Sequence, residues 1–213
     1  MDIIGLTGGT GSGKSVVSLE LKKRDSFIID CDKIAHDIIL KGEPAYNEIV
    51  EFFGDNIIDE NGQIIRKKLG EIVFSDSEKL KFLNKCTHKH IGDEVKRQIE
   101  FAKNSNVYKR VIIDAPLLIE AGLTDICDKI WVVYCDESVR ADRIVARDGI
   151  SKDLALKRIA SQKSWSEYKK YADVIIDNSS DLNSVIEQID KILKWWEVIY
   201  KCLFLLKRKY LVF

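Results

Sequence analysis

The chain carries no excess of charge: 34 Lys and Arg stand against 34 Asp and Glu in 213 residues. A general nucleic-acid binder shows a basic excess, so that class is disfavoured, while a local basic cleft for a phosphorylated small molecule stays open. The five cysteines at 31, 86, 127, 135 and 202 include no Cys-x-x-Cys pair. An odd count at irregular spacing suggests neither a disulfide framework nor a zinc site, and reduced thiols in a cytoplasmic protein are the expectation. No basic leader precedes the apolar Ile3-Ile4-Gly5-Leu6, so no signal peptide is expected. Nor does any run approach the ~18–20 apolar residues of a spanning helix. Internal repeats, low-complexity stretches and Pro/Gly/Ser-rich linkers are missing as well, which points to one continuous domain with excursions.

With 46% hydrophobic and 32% charged residues, the chain can bury a sizeable core. Its length fits one medium α/β domain with a small subdomain. Short apolar runs read as buried strands: residues 2–7, Ser26–Ile29, Arg110–Ile113, Lys129–Tyr134 and Val174–Ile176. Helical patterns separate them, among them Val16–Arg24, Asp76–Lys103 and Ser151–Lys163, and strands alternating with helices predict a parallel sheet covered on both faces. The stretch 33–105 is mostly helical and too long for a simple crossover, so it reads as an inserted substrate-binding subdomain. Residues 137–172 are dense in Arg and Lys, including Arg140, Arg143, Arg147, Arg158 and Lys163, and read as a lid.

Gly8-Gly9-Thr10-Gly11-Ser12-Gly13-Lys14-Ser15 matches G-x-x-x-x-G-K-[ST] between an expected strand and an expected helix. Its glycines let backbone N–H groups approach phosphate oxygens, and the helix beginning near Gly13 adds its positive N-terminal end. Lys14 reaches the β- and γ-phosphates and the Ser15 hydroxyl is placed to ligate Mg²⁺. Such a loop serves kinases and nucleotide switches alike. A guanine-nucleotide switch needs Asn-Lys-x-Asp, and the near match Asn84-Lys85-Cys86-Thr87 lacks the acid. Asp59-Glu60-Asn61-Gly62 fits a switch pattern, yet it reads better as the turn of a hairpin between Ile57-Ile58 and Ile64-Ile65.

Asp30-Cys31-Asp32 ends the second strand, where doubly wound sheets open onto their ligand crevice. A carboxylate there can take a proton from an attacking hydroxyl, but Asp32 can equally cap a helix Lys33–Leu40, and spacing alone does not decide between them. Asp114 ends the third strand run, where P-loop proteins often keep a carboxylate that supports Mg²⁺; a structural hydrogen bond is an equal reading.

The motifs together resemble the dephospho-coenzyme A kinase family. Gly5 to Ser15 and Ile29 to His36 carry the likeness, as do Asn61-Gly62, Arg66, Leu69, Phe74 and Ala115-Pro116-Leu117-Leu118-Ile119-Glu120. It continues through Arg143–Asp148, Arg158–Gln162 and Ala172–Asn178, in order over roughly residues 3–193. The resemblance implies transfer of the γ-phosphoryl group of ATP to the 3′-hydroxyl of dephospho-CoA, with Mg²⁺, in the last step of coenzyme A synthesis. It implies a P-loop NTPase-type core (1–32, 106–136 and 173–193), a helical substrate domain (33–105) and a lid (137–172). Asp32 matches the catalytic aspartate, Arg143 and Arg147 the lid arginines that act with Lys14, and Asn178 a position near the adenine pocket. Gly8, Gly11, Ser12, Gly13, Lys14, Ser15 and Val16 fall to ATP, and Asp32, Arg66, His88 and Leu117 to the acceptor; Asp32 and Asp114 join Ser15 as candidate metal ligands. The runner-up is a P-loop kinase of another nucleoside or small-molecule hydroxyl.

Two departures stand out. The family usually has His-Pro where this chain has His88-Lys89, and Val16 follows Ser15 where Thr is common. His88 and His90 are not expected to hold a metal, for want of acidic or cysteine companions. The apolar and basic tail 194–213 matches nothing in the family, and docking of a last helix on the core or on a second subunit is the expectation.

Overall fold

The computed structural model describes residues 1–210, with side chains through Ile199. β1 (Asp2–Thr7) leads through the glycine loop to α1 (Lys14–Lys22), and β2 (Ser26–Asp30) to α2 (Cys31–Asp37). Three further helices follow, α3 (Pro44–Phe53), α4 (Arg66–Phe74) and the long α5 (Ser77–Ser105). β3 (Arg110–Asp114) and β4 (Lys129–Tyr134) precede α6 (Glu137–Asp148), α7 (Lys152–Ala160) and α8 (Trp165–Tyr171), and β5 (Val174–Asp177) and α9 (Leu182–Tyr210) complete the series. The five strands form one sheet of order β2-β3-β1-β4-β5. β1 is buried from Ile4 to Thr7 and β3 from Arg110 to Ile113. Burial on both faces explains why these strands read as unbroken apolar runs rather than as alternation.

Two compact units share the strands. Residues 1–5 and 25–128 make one; residues 6–24 and those from 129 onward make the other. In the first, β2 and β3 run parallel, in register from Ser26 against Arg110 to Asp30 against Asp114. α5 is the spine of this unit and packs on α2, α3 and α4. Asp76 starts it by accepting the N–H groups of Glu78 and Lys79 at 3.0 and 3.2 Å. Phe52 of α3 stacks on Phe82 of α5 with centroids 3.7 Å apart, and Phe27 of β2 meets Tyr108 at 5.0 Å. The expected hairpin around Asp59 is reduced to a single antiparallel bridge, Ile58 to Ile64. Asp59 explains the tight turn: its carboxylate accepts from the N–H groups of both Asn61 and Gln63.

In the second unit β4 and β5 run parallel, Trp131 opposite Val174 and Tyr134 opposite Asp177. Ala141, Ile144, Ala155 and Ile159 form a small apolar core between α6 and α7. α9 packs on α1 and β5, and Arg24 binds Asp190 of α9 at 2.7 Å. The fully buried Trp131 meets Trp196 edge-on at 5.4 Å, which docks the start of the unmatched tail. Among the described residues no helix is long and apolar enough to cross a membrane. The expected self-association through the tail falls mainly on residues 200–213, outside the described side chains.

Candidate active site

The second unit holds the phosphate loop. Gly11 and Gly13 have φ of 76° and 83°, a left-handed conformation in which side chains are strained. Space demands glycine there too: a Cβ on Gly11 would stand 2.7 Å from the Arg140 carbonyl oxygen, and one on Gly13 would collide with the Asn178 amide. Gly13 is the N-cap of α1 and brings no capping side chain, and no acidic residue stands in the first turn, so the positive helix end opens onto the loop. The expected helix 16–24 therefore begins earlier, making Lys14 its first residue and placing Ser15 and Val16 in its first turn; the Ser15 and Val16 side chains are exposed.

Four side chains fix the loop from outside. Arg140 Nε donates to the Thr10 carbonyl oxygen at 2.9 Å, and Gln162 Oε1 accepts the Thr10 N–H at 2.7 Å. Asn178 Nδ2 donates to the Ser12 carbonyl oxygen at 2.7 Å. Arg143 Nη2 donates to the Asn178 carbonyl oxygen at 3.0 Å, while its Nη1 lies 3.4 Å from the Ser12 carbonyl oxygen and 3.3 Å from Cys135 Sγ. Burial pulls the Arg140 guanidinium below its usual value, and burial pushes the Cys135 thiol up although Arg143 opposes it. Inside the loop the Ser12 hydroxyl is buried with no protein hydrogen-bond partner. A buried hydroxyl is seldom left so, and this one fits a cradle whose remaining partner is a phosphate oxygen.

The arginines do not all behave as expected. Arg143 and Asn178 converge on the loop, whereas Arg147 is exposed and bonds Asp148 at 2.7 Å, with Arg158 on the same carboxylate at 2.6 Å. Arg140, which reads only as part of the lid, and Gln162 are the loop tethers that the sequence does not single out. Their signals were present, Arg140 in the basic stretch and Gln162 in the family-like Arg158–Gln162 motif, but neither spacing points at Thr10.

The first unit holds the acidic groups. α2 begins at Cys31, and its cap is Asp30, whose carboxylate accepts the Lys33 N–H at 3.0 Å. The capping reading of Asp32 is thereby corrected: Asp30 has the extended backbone a cap requires (φ −86°, ψ 102°), while Asp32 is an exposed residue inside the first turn. Asp114 ends β3 opposite Asp30. A cavity of about 390 Å³ opens beside Asp30, lined also by Lys33, Asp37, Glu94 and Arg97. Arg66 starts α4 and lies 3.4 Å from the His36 carbonyl oxygen; Leu117 is exposed. His88 is half-buried on α5, and burial lowers its pKa. His90 has the companions it was not expected to have: Glu48 at 2.9 Å, and Cys86 close by. They come from a different helix and from four residues back, separations that the His88/His90 pair does not advertise.

A glycine loop leading into α1, in a fold with a five-stranded sheet of order β2-β3-β1-β4-β5, marks a P-loop nucleotide-binding protein. Comparison with known proteins narrows the class. The family model described as dephospho-CoA kinase matches residues 2–184. A dephospho-CoA kinase of Carboxydothermus hydrogenoformans is 47% identical over 197 residues, 92% of this chain and 95% of that protein. The crystal structure of TT1252 from Thermus thermophilus superposes with a TM-score of 0.74 at 28% identity, covering 90% of this chain and 95% of that one. Dephospho-CoA kinase from Campylobacter jejuni gives 0.66 at 29% identity, with the same two coverages of 90% and 95%. The chain belongs to the dephospho-CoA kinase family; it is a kinase that takes a nucleotide as co-substrate and transfers phosphate to a hydroxyl.

Proposed function

We propose that this kinase moves the γ-phosphoryl group of ATP to the 3′-hydroxyl of dephospho-CoA, giving coenzyme A and ADP. The observation that carries the reading is the uncapped N-terminus of α1 behind a glycine loop held at Thr10 and Ser12, in a chain that matches the family over residues 2–184. Phosphoryl transfer asks the protein for positioning and for charge neutralisation more than for covalent chemistry. The loop N–H groups, Lys14 and the end of α1 neutralise the β- and γ-phosphates. Asn178, bonded to Ser12 and next to Arg143, sits at the adenine side. On the lid 137–172, Arg143 borders the loop and stabilises the developing charge on the transferred group, and Arg147, paired with Asp148 in this state, joins it on closure.

Asp32 takes the proton of the attacking hydroxyl. Asp30 caps α2 through the Lys33 N–H, and Asp32 stands exposed in the first turn of that helix, at the position that matches the family's catalytic aspartate. Arg66 and His88, in the helical domain 33–105, and Leu117, just after β3, belong to acceptor recognition. Mg²⁺ would supply charge neutralisation at the phosphates; the Ser15 hydroxyl in the phosphate loop is of the hard oxygen type it prefers, and the Asp32 and Asp114 carboxylates, each taken by itself, are donors of the same type. A coupled ADP-release assay offering dephospho-CoA beside uridine, adenosine, CMP and shikimate tests the reading. Dephospho-CoA is the expected preferred acceptor, and preference for any other would replace this substrate with the runner-up class.

A further inference from the structure

Cys86 and His90 stand four residues apart on α5, so both side chains leave the same helix face. Glu48 reaches that face from α3, and one ligand atom from each of the three lies within 4.8 Å of the others. We propose that Glu48, Cys86 and His90 form a binding site for a zinc-class divalent cation, separate from the Mg²⁺ of phosphoryl transfer, that ties α3 to α5.

The donor set selects the ion. A sulfur, an imidazole nitrogen and one carboxylate oxygen suit borderline-soft Zn²⁺, whereas Mg²⁺ and Ca²⁺ take oxygen ligands throughout. Ligands at roughly 2.0–2.3 Å from a tetrahedral zinc are about 3.3–3.8 Å from one another. The present spacing closes on that geometry with side-chain adjustments of about an ångström. Three protein ligands leave the fourth position to water.

Burial grades across the site. Cys86 is 4% exposed, while the side chains of His90 and Glu48 are 12% and 40% exposed. The soft ligand is therefore inside and the hard one at the mouth, where an ion enters from solvent. Cys86 has little else to bind: its contact with the Ala45 carbonyl oxygen is 4.0 Å long, beyond a firm hydrogen bond. The Lys89 ammonium opposes a cation, standing 3.0 Å from the Glu48 oxygen that His90 also uses. The Lys89 side chain is 60% exposed on a flexible stem, and it can turn into water when a metal takes the carboxylate.

The test is a cobalt(II) titration of the metal-free full chain, reduced with a phosphine that does not bind metal. One equivalent should bind with a sulfur-to-cobalt charge-transfer band, and Zn²⁺ should displace it. Cys86→Ser should abolish the band, and His90→Gln and Glu48→Gln should each weaken binding by about 10–100-fold or more. Cys127→Ser, in a different part of the same unit, should leave the band unchanged. Absence of the band in the parent protein overturns the proposal, as does its survival in Cys86→Ser. If Cys86→Ser does not fold by circular dichroism, Glu48→Gln at the exposed mouth decides, and undiminished affinity there rejects the site. None of these readouts depends on the kinase substrate.

Discussion

The Asn178 side chain donates to the Ser12 carbonyl oxygen over 2.7 Å, and the same nitrogen fills the space that a side chain on Gly13 would need. Gly13→Ala must therefore either displace Asn178 or deform the loop, in addition to holding alanine at φ 83°. Overpacking and left-handed strain together cost about 2–4 kcal/mol. Much of that can be relieved by the loop giving way, so the clearest expected result is a loss of ATP affinity of tenfold or more in a protein that still folds. Calorimetry with unchanged affinity would show that the loop tolerates a Cβ.

Lys14 opens α1 under the loop, and Lys14→Ala removes the charge-assisted contact to the β- and γ-phosphates. ATP binding should weaken and turnover nearly vanish. Normal ATP affinity and turnover in a folded variant would remove Lys14 from the phosphate site.

Asp30 and Asp32 can now be separated by design. Asp32→Asn keeps a polar side chain in the first turn of α2 but cannot accept the hydroxyl proton, so kcat should fall by ~10²–10⁴ with little change in ATP affinity. Asp30→Ala removes the cap and should lower stability by about 1 kcal/mol, whereas Asp30→Asn, an equally good cap, should keep the melting temperature near that of the parent. Near-normal kcat in Asp32→Asn would require another base.

Arg147 and Arg158 hold the Asp148 carboxyl below its ordinary value, Arg147 having the larger effect. A depressed carboxylate pKa means that the unfolded chain binds a proton more readily. The stabilisation is complete above the ordinary value of 3.8 and is lost as pH falls through the lower folded value. Asp148→Asn should lower the melting temperature at neutral pH, and the gap from the parent should narrow in strong acid. A gap independent of pH would assign the loss to packing instead.

Trp196 covers Trp131 edge-on. Trp196→Ala should cost about 2 kcal/mol, since the half-buried Trp196 loses both its buried area and its ring contact with Trp131. Thermal melts measure the loss, and kcat should be unaffected. A fall in kcat without a fall in stability would contradict a docking role for this part of the chain.

All five strands were legible because each is a short apolar run, and four of them end within a residue or two of an aspartate, Asp30, Asp114, Asp136 or Asp177. The phosphate loop was legible because its chemistry is written in consecutive residues. What holds the loop was not, since Arg140 meets Thr10 across 130 positions and no local pattern encodes that encounter. The cap of α2 failed for another reason. Asp30 and Asp32 are the same residue type two positions apart, and only the extended backbone at Asp30 selects it. Glu48 and His90, 42 positions apart, again meet through packing of α3 on α5 rather than through sequence proximity.

The tethers of the glycine loop also impose an order in time. A ribosome completes the loop almost at once, but its partners follow late: Arg140 lies 130 residues after Thr10, Gln162 lies 152 after Thr10, and Asn178 lies 166 after Ser12. Synthesis at roughly 5–20 residues per second leaves that interval at about ten to thirty seconds. Throughout it the nascent chain displays a phosphate-binding motif without the groups that hold it in shape. The Asn178 tether can form only after β5 has left the ribosome, so the loop takes its final shape among the last events of folding.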